Sequence, residues 1–462
     1  MINGTSGDDI LFPEPGSDAV TINGNNGNDT ITGTEFADTL NGNAGTDTIF
    51  GLDGADKING GADADFLYGG DGDDDITFDA ADIASGEVDA GTGFDTGRAA
   101  NAVTGLDLAA ISIERFFGST GDDVVTAALS SDGVTVSGNN GNDTITGSAF
   151  DDRLNGNAGN DTIFGGDGND IISGGADIDV LDGGAGDRDI LFSNGTTGVF
   201  VNLQVNSASG GDLTGDTFKN FEGVIGTNHN DNLVGNTGAN ILIGGFGADR
   251  LNGSGGADSL FGNDGDDDIT FDQADLDGGV VDAGNGIDTV RASGAVGDDE
   301  NFVDMAALNA ERFFGSSQDD FVFSSGSATV TLNGNNGDDY IGGGSGDDRL
   351  NGNAGEDILV GGAGNDKMNG GSGGDSFQFL SFGDFGNDDI NGFEGGGVDS
   401  LFFDEALGLE LGDFTFSQTG NGALISVDDG LGTTGSILLR GVNQVDLQFF
   451  DITGVGITIF EA

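Results

Sequence analysis

A nine-residue pattern of polar and apolar positions repeats along the chain. From Gly24 the sequence is GNNGNDTIT, GTEFADTLN, GNAGTDTIF, GLDGADKIN, GGADADFLY and GGDGDDDIT, and the series ends at Thr77 without a gap. The sixth position is always Asp and the eighth is always Ile or Leu, whereas Gly and Asn are frequent at the start of each unit. This pattern predicts a glycine-rich turn followed by a short strand with one inward-facing residue.

Three further blocks of the same unit begin at Gly138, Gly226 and Gly334. The second block decays at GGAGDRDIL, where Arg188 occupies the Asp position, and Asn240 replaces one Asp of the third block. The sixth-position aspartates of the four blocks are Asp29, Asp38, Asp47, Asp56, Asp65, Asp74, Asp143, Asp152, Asp161, Asp170, Asp179, Asp231, Asp249, Asp258, Asp267, Asp339, Asp348, Asp357, Asp366 and Asp375.

A longer duplication overlies the short repeat. ITFDAAD at Ile76 returns as ITFDQAD at Ile269, and ERFFGS at Glu114 returns at Glu311, in both cases nearly two hundred residues later. The stretches between the blocks, 78–137 and 271–333, are less regular and richer in Phe, Val and Ala. We interpret them as irregular coils of the same structure, with a separate globular domain as the alternative.

Two units should complete one flattened coil of about 18 residues, and stacked coils then build two parallel sheets with strands about 4.8 Å apart. We therefore predict an all-β fold, a parallel β-roll (β-solenoid) with a C-terminal antiparallel β cap. The predicted divisions are an N-terminal partial repeat or cap at 1–23, roll segments at 24–191 and 192–378, and the C-terminal cap at 379–462.

The charge of the chain requires a cationic partner. Asp and Glu number 81 against 12 Lys and Arg, which gives a net charge of −69. Such a chain repels itself and stays largely disordered unless a cation neutralises it. Nucleic acid and anionic membrane surfaces are excluded as partners by the same charge, and no apolar run approaches the roughly 18 residues that span a bilayer. Because cysteine is absent, oxygen atoms must hold the cation.

Glycine-rich turns offer backbone carbonyls, and the sixth-position aspartates add carboxylates. Hard oxygen donors of this kind suit Ca²⁺, whereas Mg²⁺ prefers a tight octahedron with retained waters and transition metals prefer imidazole or thiolate. The alternative is a solvated acidic surface or a linker, but neither carries a nine-residue phase of Asp and Ile or Leu. About twenty ions would add about +40 of charge, and folding would depend on binding them.

The units resemble the G-G-x-G-x-D-x-U-x nonapeptides of the RTX, or hemolysin-type calcium-binding, repeat family. GGDGNDIIS at Gly165 and GGAGNDKMN at Gly361 match almost residue for residue. The resemblance implies multiple Ca²⁺ ions, each between consecutive turns and held by turn carbonyls and the twenty aspartates named above. The departures at Arg188 and Asn240 put calcium binding at those two turns in question, and His229 is expected to be a surface residue.

The C-terminal segment differs from the repeats. After Gln378 the nine-residue phase is lost, and alternating apolar and polar residues predict antiparallel strands that cap the open end of the roll. The segment resembles the C-terminal region of bacterial type I secretion substrates, which carries an uncleaved export signal. The N-terminal MINGTSGDDI lacks the features of a secretory signal peptide. We therefore expect export by type I secretion machinery and folding in extracellular calcium.

No enzyme site is expected from the sequence. One histidine and no cysteine leave no H-E-x-x-H zinc site and no Cys-His dyad, and no G-x-S-x-G accompanies His229. The favoured function is a secreted calcium-binding structural protein of a matrix, surface layer or adhesion system, because the sequence starts directly in repeat material. The alternative is the C-terminal secretion and folding module of a larger protease, lipase or toxin. Ice binding would need a regular Thr/Asn ladder, which the variable third and seventh positions do not provide.

Overall fold

The computed structural model describes residues 1–298, 302–380, 385–393, 399–404, 407–429, 434–442, 444, 447–452 and 456–461. The protein is all-β, and within these ranges it has two α-helices, Ala80–Ser85 and Gln273–Gly278, and short 3₁₀ turns at Leu108–Ile111, Gly211–Leu213 and Leu411–Asp413. The chain forms two compact units, Met1–Asn228 and His229–Ala462. None of the described helices is long and apolar enough to cross a membrane. The finer domain boundaries predicted from the sequence stay predictions.

The first unit is a parallel β-roll whose strands alternate between two sides. One side is a continuous parallel sheet of Ile2–Asn3, Thr21–Asn26, Thr39–Ala44, Lys57–Ala62, Asp75–Phe78, Thr96–Ala99, Arg115–Phe117, Thr135–Asn140, Arg153–Ala158, Ile171–Ala176, Ile190–Phe192 and Gly223–Ile225. The other side is divided into two parallel sheets, Ile10–Leu11, Thr30–Thr32, Thr48–Asp53, Phe66–Asp71 and Glu87–Thr92, then Thr104–Asp107, Val124–Thr126, Thr144–Thr146, Thr162–Asp167, Val180–Ala185 and Thr217–Lys219. Phe200–Asn202 and Ser207–Ser209 form an antiparallel hairpin.

The second unit repeats this architecture. One side contains Asn232–Val234, Arg250–Asn252, Asp268–Phe271, Thr289–Ala292, Arg312–Phe314, Thr331–Asn336, Arg349–Ala354, Lys367–Ser372 and Gly386–Asn391. The other contains Ile241–Phe246, Ser259–Asp264 and Val280–Asn285, then a sheet of Val303–Asp304, Phe321–Phe323, Tyr340–Gly344, Ile358–Gly362, Ser376–Phe379 and Ser400–Asp404.

The C-terminal segment contains antiparallel strands, as predicted. Thr434–Arg440 joins Gly386–Asn391 in parallel and is followed across the sheet by antiparallel Gly422–Asp428 and Phe414–Gln418. On the other side, Gly456–Glu461 pairs antiparallel with both Ser400–Asp404 and Leu447–Ile452.

The core is a single file of apolar side chains on each side of the roll. Ile22, Leu40 and Ile58 lie opposite one another in successive parallel strands and are essentially inaccessible to solvent. Ile31 and Ile49 form the equivalent file on the other side. These residues occupy the eighth position of the repeat, and the eighteen-residue coil places them in register. The parallel β-roll and its inward-facing eighth position are therefore confirmed.

The less regular stretches carry the same ladder. Thr96–Ala99 pairs in parallel with Asp75–Phe78 and with Arg115–Phe117, which in turn pairs with Thr135–Asn140. The six-residue helix Ala80–Ser85 is inserted between two strands, and its N-cap, Asp79, accepts a hydrogen bond from the Ala81 N–H. An N-cap carboxylate satisfies one of the free amides at the start of a helix. Insertions of this kind interrupt the nine-residue phase of the sequence without interrupting the sheet.

Candidate metal centre

The sixth-position aspartates stack in columns along the edges of each roll. The backbone N–H of Asp29 donates to Oδ1 of Asp47 at 2.7 Å, and the N–H of Asp47 donates to Oδ1 of Asp65 at 2.7 Å. The same bond joins Asp143 to Asp161 at 2.7 Å. Each carboxylate is thus fixed by the amide of the preceding turn, which gives every column the spacing of the parallel strands.

The second carboxylate oxygen, Oδ2, has no comparable partner in most turns. Among the described residues, Oδ2 is buried without a hydrogen-bond partner in Asp29, Asp47, Asp56, Asp65, Asp74, Asp143, Asp161, Asp170, Asp179, Asp249, Asp267, Asp339, Asp348, Asp357 and Asp366. A buried carboxylate oxygen with no donor is strongly unfavourable unless a charge compensates it. The repetition of this arrangement from turn to turn indicates a ligand set rather than isolated defects.

The first glycine of each unit completes the surroundings of Oδ2. A Cβ atom placed on Gly24 would lie 2.3 Å from Oδ2 of Asp29 and 2.8 Å from the carbonyl oxygen of Gly42 in the next turn. For Gly156 the same distances are 2.1 Å to Oδ2 of Asp161 and 2.5 Å to the carbonyl oxygen of Gly174. In these turns a Cβ at the first position would overlap both oxygens, so a carboxylate and a carbonyl oxygen from consecutive turns face the same small space.

Burial changes the proton affinity of these groups. Removal from solvent, with a further contribution from neighbouring carboxylates, raises the pKa of Asp65, Asp74 and Asp161 to about 7. Desolvation disfavours the charged form of an acid, and like charges in one column reinforce the effect. A bound cation would reverse both effects because it favours the ionised carboxylate.

The donor set fits calcium. Within the described ranges no three His, Cys, Asp or Glu side chains converge closely enough to hold a metal by themselves, so carbonyl oxygens would have to supply the remaining ligands. Carboxylate plus carbonyl oxygens in a flexible, glycine-rich cage match the preference of Ca²⁺. All twenty aspartates predicted from the sequence are buried, with at most 3% of their surface exposed. Their assignment as calcium ligands stays a prediction.

The columns contain acidic residues that the repeat pattern did not identify. The N–H of Asp65 donates to Asp82 in the helix Ala80–Ser85 at 2.7 Å, and the N–H of Asp95 donates to Oε2 of Glu114 at 2.8 Å. The N–H of Asp288 makes the equivalent bond to Glu311 at 2.9 Å. The duplicated ITFD and ERFFGS sequences could have indicated these acids, because both copies place an acid at the same point of a column.

The two departures from the repeat have different outcomes. Asp189, rather than Arg188, takes the carboxylate position: its Oδ1 accepts the N–H of Asp170 at 2.8 Å, and its Oδ2 is buried without a partner. The expectation that Arg188 occupies this place is wrong, because the turn is one residue longer. Asn240 does occupy the Asp position, and its N–H donates to Oδ1 of Asp258 at 2.7 Å. His229 is exposed, as expected.

Comparison with protein families gives a consistent result. The RTX calcium-binding nonapeptide repeat matches at 23–58, 50–82, 137–172, 164–195, 225–260, 243–275, 314–350 and 342–377, which together cover half of the chain. A comparison with curated proteins gave no significant match. The matched ranges contain the stacked aspartates and first-position glycines described above, and the chain therefore belongs to the RTX calcium-binding nonapeptide repeat family.

Proposed function

We propose that this protein folds when it binds several calcium ions outside the cell, and that the folded roll serves a structural role in a matrix, a surface layer or adhesion. The observation that carries the proposal is the series of buried Oδ2 atoms without a hydrogen-bond partner, repeated in consecutive turns. In several turns this atom lies beside a carbonyl oxygen of the next turn, as Oδ2 of Asp29 lies beside the carbonyl oxygen of Gly42. A divalent cation at these points would compensate the buried charge.

The energy of the columns supports a coupling between binding and folding. Two unit charges about 5 Å apart repel by about 3 kcal/mol at an effective dielectric constant of about 20. The total repulsion in a column of four or five ionised carboxylates is therefore comparable with the free energy of unfolding of a whole domain, about 5–15 kcal/mol. Since the net charge is −69, the rest of the molecule adds to this repulsion. Binding free energy would then be folding free energy.

A calcium titration followed by far-UV circular dichroism tests the proposal. The metal-free protein should give a largely disordered spectrum, and calcium should produce a cooperative gain of β signal. Magnesium at the same concentration is the matched control, because it fits a cage of carbonyls poorly. A metal-free spectrum that already equals the calcium-loaded one would show that the aspartates do not control folding.

The composition supports a role without catalysis, since the chain has one histidine, which is exposed, and no cysteine. Surface labelling of intact cells, with and without a calcium chelator, tests the structural role. Release of the protein by chelation would support it. Hydrolysis of protease, lipase or glycoside substrates by the calcium-loaded protein would instead favour the alternative, a folding module of an RTX enzyme.

Export through the C-terminal segment is a separate part of the proposal. The change of pattern after Gln378 supports a distinct function for 379–462. Deletion of 379–462 should leave the protein inside a type I secretion host, whereas deletion of the repeats at 24–77 should not prevent export. Export of the chain without 379–462 would contradict this assignment.

A further inference from the structure

The turns of the roll belong to two classes that differ at Oδ2 of the sixth residue. In the larger class, which we call open turns, Oδ2 has no hydrogen-bond partner, as described above for most aspartates. In the smaller class, which we call closed turns, the backbone N–H of the second residue of the same unit donates to Oδ2. Closed turns include those of Asp9, Asp38, Asp123, Asp152 and Asp320.

The turn of Asp152 shows the closed geometry. The N–H of Ser148 donates to Oδ2 of Asp152 at 2.5 Å, and the Ser148 hydroxyl donates to Oδ1 at 2.9 Å. The same hydroxyl accepts the N–H of Phe150, the fourth residue, at 3.0 Å. Both carboxylate oxygens are therefore occupied by donors of their own turn. Hydrogen bonds to a carboxylate satisfy the ionised form without a metal.

The other closed turns use the same three groups. Thr34 N–H donates to Oδ2 of Asp38 at 2.5 Å, and the Thr34 hydroxyl accepts the N–H of Phe36 at 3.1 Å. Ser316 N–H donates to Oδ2 of Asp320 at 2.6 Å. In these five turns the second residue is Ser or Thr, a residue type that bonds its own neighbouring backbone.

The backbone separates the two classes independently of the side chains. In open turns the second residue has a left-handed φ, for example 76° at Asn157 and 120° at Gly166, and the fourth residue often does too, as at Gly159 with 123°. Ser148 and Thr34 are not among the described residues with positive φ. Gly and Asn tolerate the left-handed region, whereas a β-branched residue such as Thr is an outlier there. The second residue thus selects the conformation.

Two turns show that conformation, rather than residue name, is the determinant. Ser254 has a φ of 78°, so its turn is open although its second residue is Ser; two glycines follow it. Asn236 lies in a closed arrangement, because its N–H donates to Oδ1 of Asn240 at 2.7 Å and its own Oδ1 accepts the Gly238 N–H at 2.8 Å. Threonine is the residue that excludes the open form most strongly.

We propose that closed turns bind no calcium, and that the second residue of each unit decides through the backbone conformation whether a turn takes an ion. The inference rests on the proposed calcium binding of the open turns. It removes Asp38 and Asp152 from the predicted ligands. In these turns, the N–H and hydroxyl of the second residue take the place of the cation.

Closed turns lie where a column of aspartates begins. Val20 donates its N–H to Asp38 and Val134 donates to Asp152, so neither receives the N–H of a sixth-position Asp from the turn before. This position does not close a turn by itself, because Asp348 receives the N–H of Val330 and its Oδ2 has no partner. The second residue of that turn, Gly344, has a φ of 102°, so the conformation of the second residue again separates the two classes.

Two reciprocal variants test the proposal by native mass spectrometry of the calcium-saturated full chain. Asn157→Thr should close the turn of Asp161 and lower the number of bound calcium ions by at least one. Asn157→Gly is the matched control, because it also removes the Asn157 side-chain hydrogen bonds but keeps the open conformation. In the opposite direction, the double variant Ser148→Gly/Phe150→Gly converts GSAFDD into GGAGDD and should add one ion, whereas Ser148→Thr should add none.

The outcomes distinguish a failure of the proposed calcium binding from a failure of the proposal about closed turns. If the unaltered protein binds no calcium, the proposed function fails. If it binds calcium but the double variant at Ser148 and Phe150 gains no ion, the proposal about closed turns is overturned. The double variant keeps the test decisive if Asn157→Thr does not fold, because Phe150 is 46% exposed and its loss removes little from the core.

Discussion

Acid should replace calcium as the agent that folds the metal-free chain. Burial raises the pKa of Asp65, Asp161 and Asp339 to about 7, from 3.8 for an exposed aspartate. The folded roll therefore binds protons more tightly than the unfolded chain. The resulting stability is fully present below about pH 4 and is lost as the pH rises through about 6 to 7.

The magnitude follows from the size of the shift. One pKa unit corresponds to about 1.4 kcal/mol, so ionising one such aspartate in the metal-free roll costs about 4 kcal/mol. The cost of ionising three or four such aspartates equals the whole free energy of unfolding of a typical domain, about 5–15 kcal/mol. More than ten aspartates have a pKa raised to about 6 or 7. We therefore expect the metal-free roll to be unstable at neutral pH.

The assay is far-UV circular dichroism of protein stripped of metal on a chelating resin, since EDTA itself loses calcium affinity in acid. The β signal should rise as the pH is lowered from about 7.5 to about 5, with a midpoint near the raised pKa values. With calcium present, the signal should already be complete at about pH 7.5 and should change little. A metal-free spectrum that is independent of pH over this range would refute the reasoning.

Three further predictions concern single turns. Gly156→Ala should raise the calcium concentration needed for folding, because the added Cβ would overlap the carboxylate and carbonyl oxygens of the cage; Gly255→Ala, which meets no atom within 4 Å, should not. Leu52→Asn should raise the free energy of unfolding by about 1 kcal/mol in chemical denaturation, because Leu52 has a φ of 86° and is 43% exposed; a loss of stability would contradict this. Asp189→Asn should lower the number of calcium ions detected by native mass spectrometry, whereas Arg188→Ala should not. The reverse result would show that Arg188, and not Asp189, occupies the carboxylate position of this turn.

The nine-residue phase was sufficient to predict the repeating part of the fold. Eighth-position residues such as Ile31 and Leu40 could be placed in the core because each repeat is a local turn and strand, and neighbouring repeats contact one another in sequence order. The stacking of Asp29 and Asp47 followed from the same period. The antiparallel C-terminal strands were also predictable, since alternation of apolar and polar residues is a local signal.

The sequence could not predict which acids complete a column once the phase is broken. Asp82 reaches its column from a helix, Glu114 from a longer turn, and Asp189 from a turn lengthened by one residue. Insertions change the spacing along the chain but leave the strand register intact, so the nine-residue phase alone does not reveal these equivalences.

The sequence by itself determined the repeat, the roll, the charge that requires a cation, and the oxygen chemistry of its site. The tertiary structure decided how the two oxygens of each carboxylate are used. Oδ1 is bonded to the previous turn, whereas Oδ2 is either bonded within its own turn, as in Asp152, or left without a partner, as in Asp161. An Asp at the sixth position looks the same in both cases, because the difference lies in the φ angle of the second residue and in the direction of one N–H group.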